Sequence, residues 1–244
     1  MKKITGAILF ALLTLGLSCG CESNRQVFKR YESQFADKRQ QFKKIADSLP
    51  ATGSANPSPA TNLSPKPVYD PKSDTNNTEI VMFDQLQDPD IQSEDHNRLD
   101  LILSGNLLLG MKWTGPKSPM SESVIDKRAE SNLDPMLKKG LSTRYLVVLR
   151  PATFTKPVAA DENNYQAGSA DIEGFLVDLE GNKILASFRF TANSADRVEY
   201  SYKPGQNKES QLEEFAYSSL YTDARDKLSK ALPQSTGGNF NIEK

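Results

Sequence analysis

Chemistry that needs an imidazole or a thiol has very few residues to draw on in this chain: one histidine, His96, and two cysteines, Cys19 and Cys21. His96 lies among Asp88, Asp90, Glu94 and Asp95. That spacing fits no zinc pattern, and it lacks the alternating oxygen donors around a central glycine that a calcium loop requires. A solvated acidic loop is the expectation, with no metal. A hydrolase nucleophile on a strained G-x-S-x-G turn is absent. Glycine patterns that cradle phosphates are absent too, which leaves nucleotides and other cofactors without local support. Thiol catalysis has no cysteine in the body of the chain to use. Two carboxylates brought together only by folding stay open, because a glycosidase pair needs spatial proximity and no sequence motif.

Lys2 and Lys3 precede an uncharged, mostly apolar run from Ile4 to Leu17. The run is shorter than the ~20 residues a spanning helix takes, and it has the form of a secretory h-region. Gly16-Leu17-Ser18-Cys19-Gly20-Cys21 follows. This stretch resembles the lipobox of bacterial lipoproteins processed by signal peptidase II. The resemblance implies removal of residues 1–18, a diacylglyceryl thioether on Cys19 and acylation of the new amine by a palmitate-like chain. Cys21 is the alternative, since neither cysteine is preceded by the usual leucine three positions back. By the same resemblance the protein is held at a cell membrane or outer membrane, facing periplasm or exterior. With Gly20 or Glu22 after the cysteine, the outer membrane is weakly favoured. Several acyl chains give stable anchorage where one binds only at ~10⁴ M⁻¹.

The elements that must position anything downstream begin right after the cysteines. Residues 22–49 read as a helix, with Phe28, Tyr31, Phe35, Phe42, Ile45 and Leu49 on one stripe that Lys38 interrupts. Lys29, Arg30, Arg39, Lys43 and Lys44 on the rest of its surface make it a basic amphipathic helix, with residues 19–49 as anchor and helix. Three destinations are open for it: anionic headgroups, a partner helix, or its own domain. Residues 50–78 hold Pro57, Pro59, Pro65, Pro67 and Pro71 among Ser, Thr and Asn. So little apolar surface does not offset ~1–2 kcal/mol of ordering entropy per residue. An extended, disordered linker holding the next domain several nanometres from the anchor is expected.

Residues 79–232 form the expected globular domain. Strands are read at Ile80–Phe83, at Arg144–Arg150 (central, ended by Pro151) and at Phe175–Leu179 with Ile184–Phe190 around Glu180-Gly181-Asn182-Lys183. On the last arm Ile184, Ala186, Phe188 and Phe190 share a side. The phrase from Gly174 to Ser187 resembles the hairpin of small α/β envelope domains, which implies a turn-capping role for Asp178. Leu99–Trp113 is ambiguous: helical at Leu99, Ile102 and Leu103, and strand-like in the alternation of Leu107, Leu109, Met111 and Trp113. Ser123–Lys139 reads as helical, with Pro135 opening a last turn and Gly140 as its stop. A final helix begins with Ser210-x-x-Glu213 as a capping box and ends at Pro233, leaving residues 233–244 as a flexible tail. The fold class is α+β, a mostly antiparallel sheet with helices packed on one face, preceded by the N-terminal helix and the disordered linker.

The formal net charge of −1 gives no basic footprint for nucleic acid. The expected function is a membrane-anchored, non-enzymatic binding or assembly module of the cell envelope. Its expected partners are the membrane, through the lipid, and an envelope protein. The alternatives are a hydrolase acting on envelope polymer and a purely structural lipoprotein whose N-terminal helix is its working part.

Overall fold

The computed structural model describes residues 24–91, 101, 105–115, 133–162, 164–197, 205 and 207–242. Cys19, Cys21 and His96 lie outside them, as do the expected helical residues before Leu133. The architecture is α+β, built on a four-stranded mixed sheet. Its strands are β2 (Thr78–Met82), β3 (Tyr145–Thr155), β6 (Ser169–Asp178) and β7 (Lys183–Asn193), in that spatial order. β2 pairs with β3 in parallel, and the other two pairings are antiparallel. β3 is a central strand with Leu146 to Leu149 wholly buried, as its β-branched run predicts. It does not stop at Pro151, because a register shift between Pro151 and Thr153 accommodates the residue without an amide hydrogen.

Helices cover both faces of the sheet, not one. On one face α5 (Lys208–Thr236) lays Leu220, Ala224, Leu228 and Leu232 against Ile80, Val147, Leu149, Ile172 and Leu176. On the other, α1 (Asn24–Ser48), α3 (Asn106–Thr114) and α4 (Leu133–Leu141) pack on Val81, Leu146, Val148, Phe175 and Val177. The short α2 (Phe83–Gln87) adds Leu86 to this second core. Ile184 also belongs to it, while Ala186 faces α5. A register shift between Leu176 and Val177 separates the two and breaks the expected one-sided alternation.

Residues 107–113 form helix α3, not a strand. Glu79 on β2 accepts hydrogen bonds from the first amides, Leu107 and Leu108, and a local alternation pattern carries no trace of that remote carboxylate. The last helix begins two residues before Ser210, with the Asn207 side chain accepting from the Ser210 amide. It runs past Pro233, because the every-fourth-residue buried stripe extends to Thr236, and it ends at Gly237 with φ 63°.

Residues 50–77 are not a free linker. Ser58 exchanges backbone hydrogen bonds with Ser187 on the rim of β7, and Ala60 donates to Ser235 at the end of α5. The Tyr145 hydroxyl donates to Pro65. β1 (Val68–Tyr69) then pairs in parallel with β8 (Asn239–Phe240), so the expected tail is tied down as well, with Phe240 and Ile242 buried. Backbone hydrogen bonds to the sheet, which composition does not report, offset the entropy that the sequence alone leaves uncompensated. A small hairpin, β4 (Val158–Ala159) with β5 (Tyr165–Gln166), rests on α5 through the Ala159 amide and Glu213.

Candidate functional site

Of the three destinations open to α1, its own domain takes the apolar stripe. Phe35 and Phe42 are fully buried, Ile45 and Tyr31 nearly so, and each such aromatic contributes roughly 1.5–3 kcal/mol of burial. The five basic residues singled out on this helix divide into two groups. Arg39 is a scaffold residue: it forms a bidentate pair with Asp90 at 3.0–3.1 Å and donates to the Met111 carbonyl. Arg30 pairs with Asp134 at 2.7 Å. The Asp134 carboxyl is held below its ordinary value by hydrogen bonds from Lys138 and from the Tyr31 hydroxyl. Lys29, Lys43 and Lys44 remain exposed, but exposed Glu32, Asp37 and Asp47 are interspersed with them. The surface that was expected to be basic is therefore close to electroneutral.

Lys38, the interruption in the stripe, is half-buried, and desolvation lowers its ammonium below the ordinary value. Its Nζ donates to Gln41, whose amide in turn donates to the Leu179 carbonyl and to Asn182 Oδ1. This chain fastens α1 to the β6–β7 turn, where Asn182 has φ 51°. Asp178 accepts from the Glu180 amide in the same turn, the capping role expected of it.

The second face of the sheet changes character along the strands. Up to the pair Arg150–Glu173 it is covered, while Arg189 in the same row is exposed. Glu173 is fully buried and receives Arg150 at 2.8 and 3.1 Å, the Ala55 amide at 2.9 Å and the Gly53 amide at 3.1 Å. Burial alone would raise this carboxyl, but those amides and the guanidinium outweigh it and hold it below the usual range. Arg150 lies over the Phe83 and Phe175 rings and donates to the Ala51 carbonyl. Beyond this row the residues in register are Thr153–Asp171–Thr191, then Thr155–Ser169–Asn193. Thr153, Thr155, Thr191 and Asn193 are exposed, and Asp171 and Ser169 are half-buried. Asp171 and Arg189 form an ion pair within this surface. Three adjacent strands ~4.8 Å apart thus present hydroxyls, an amide and one ion pair on a sheet face.

That polar half-sheet is the candidate functional site. Its chemistry is recognition by hydrogen bonds, since hydroxyls and amides both donate and accept. A sequence signal for it exists in the alternation Thr153-Phe154-Thr155, Asp171-Ile172-Glu173 and Arg189-Phe190-Thr191. What was missed is that three strand ends align these residues. A second concavity of about 570 Å³ lies between α5 and the end of β7, lined by Phe215, Ser219, Asp223, Asp226 and Arg197. Its acids are engaged, Asp223 by the Asn193 amide and Asp226 by Lys230.

Two other buried or acidic features are structural. Glu79 is pushed up to about 7 by burial, with the Leu107 and Leu108 amides opposing the shift. Asp90, one of the acids near His96, is committed to Arg39. Among the described residues no group of three or more His, Cys, Asp or Glu is placed to hold a metal, and no helix is long and apolar enough to cross a membrane. Compared with models of protein families the chain matches none, and no curated protein matches it.

Proposed function

We propose that this chain is an exported lipoprotein, acylated at Cys19 (or Cys21), that holds a non-enzymatic binding domain at the cell envelope. The observation that carries the binding reading is the polar half-sheet on which Thr153, Thr155, Arg189 and Thr191 are exposed and Asp171 half-buried, next to a scaffold whose buried carboxylates are engaged structurally. Glu79 is consumed by two helix amides, and Glu173 by two amides and a guanidinium. Both carboxylates therefore serve to hold elements of the fold together. Support for the anchor is the charged start, apolar run and paired cysteines that precede α1. The envelope-polymer hydrolase is the alternative.

The test has two arms. Cys19→Ser and Cys21→Ser, singly and together, are expressed with labelled fatty acid and the cells fractionated. The double variant is expected to lose label and leave the membrane fraction. Retention of the double variant in membranes, with no label on the wild type, would refute the anchor. Photo-crosslinking from Thr191 in intact cells is expected to trap an envelope component that a crosslinker on the opposite side, at Tyr221, does not trap.

A further inference from the structure

We infer that the folded body is docked end-on against the lipid surface, with the first turns of α1 and Trp113 nearest the bilayer. The inference rests on the acylation proposed above. The case starts from chain length. α1 begins at Asn24, only five positions after Cys19 and three after Cys21. Fully extended, five residues span at most ~17 Å and three at most ~11 Å, so the acylated residue cannot be far from the start of the helix. Among the described residues from Asn24 to Asn77 none is a free spacer. α1 is locked to the sheet through Phe35 and Phe42, and residues 50–77 are pinned along the rim and the far helix.

The orientation follows from charge and from the direction of α1. The helix is about 37 Å long at 1.5 Å per residue, so its two ends lie at very different heights if it stands upright. Lying flat would need its outer surface to attract headgroups. Exposed Lys29, Lys43 and Lys44 are each drawn to an anionic surface, but exposed Glu32, Asp37 and Asp47 oppose them. Among the described residues of that surface only the small Ala36 is apolar and exposed, because the aromatic stripe faces the core. With no attraction along its side, the helix is held only at the end that carries the anchor. At that end Trp113 packs edge-on against Phe28, ring centroids 5.9 Å apart, and is half-exposed. An indole with an apolar body and a polar N–H suits the headgroup zone.

Trp113 is the only tryptophan in the chain, which makes it the probe. The acylated full-length protein is purified from membranes and reconstituted into vesicles carrying a dansyl-headgroup lipid, and energy transfer from Trp113 is measured. The comparison is Trp113→Phe with Asp47→Trp, which moves the indole to the far end of α1 (Trp113→Tyr serves if the Phe variant misfolds). Transfer from Trp113 is expected to exceed transfer from position 47 several-fold. Equal transfer from both, or greater transfer from position 47, in protein that floats with the vesicles, overturns the end-on arrangement while leaving acylation intact. Failure to float at all overturns the acylation reading itself.

Discussion

Arg150 and Glu173 pair across neighbouring strands with neither side chain open to solvent, and the same carboxylate holds the amides of Gly53 and Ala55. This contact fastens the segment after α1 to the sheet, and it marks where the helix-covered half of that face gives way to the bare half.

Breaking the pair from one side leaves a buried charge uncompensated. Arg150→Met is therefore expected to cost ~3–5 kcal/mol in urea unfolding. Because the folded carboxyl of Glu173 lies below its ordinary 4.5, its contribution is present above that pH and is lost as pH falls through the folded value. Glu173→Gln should remove this acid-side slope. A Glu173→Gln protein whose stability falls as steeply in acid as the wild type would contradict the assignment.

Glu79 predicts the opposite slope. Its folded carboxyl binds its proton more tightly than in the unfolded chain, about 7 against an ordinary 4.5. Its effect on stability is thus most favourable below 4.5 and declines as pH rises toward 7, by ~3 kcal/mol at most. Glu79→Gln should flatten the decline, at the expense of one of the two α3 amide contacts, since a side-chain amide offers one acceptor oxygen where a carboxylate offers two. Denaturation midpoints measured between pH 4.5 and 7 decide it.

α1 is predicted to be inseparable from the domain. A Cβ on Gly110 would lie 2.2 Å from the Phe35 ring, so Gly110→Ala should destabilise by ~1–3 kcal/mol despite the better helix propensity of alanine. Phe35→Ala should cost ~3–5 kcal/mol. Deleting residues 24–48 exposes Val148 and Phe175, and the remainder is expected to lose cooperative unfolding in calorimetry. A cooperative transition in the deleted protein would show the helix to be an appendage.

Thr153→Lys and Thr155→Lys should leave stability within ~0.5 kcal/mol, as exposed positions do, while abolishing the crosslinks expected from Thr191. Loss of crosslinks accompanied by loss of folding would not meet the prediction, and circular dichroism separates the two outcomes.

The sheet was legible wherever burial is two-sided. The run Tyr145–Leu149 announced itself because a strand buried on both faces has no room for polar residues, and the hairpin around Gly181 by its turn residues. The helix at 107–114 was not legible: its N-terminal amides are satisfied by Glu79, 28 positions away from Leu107 in sequence. The same applies to residues 50–77 and 239–242. Their order comes from partners such as Ser187 and from each other, and proline-rich composition carries no mark of a partner. The candidate site was half legible. Thr-x-Thr and Asp-x-Glu alternation was present, but only register brings Thr153, Asp171 and Thr191 into one row.

The pairing of Val68 with Asn239 joins residues 171 positions apart. Native closure must therefore wait until Phe240 has been synthesised, and every shorter nascent product leaves β1 without its mate. Such a polypeptide keeps a loose seam for as long as it is being made.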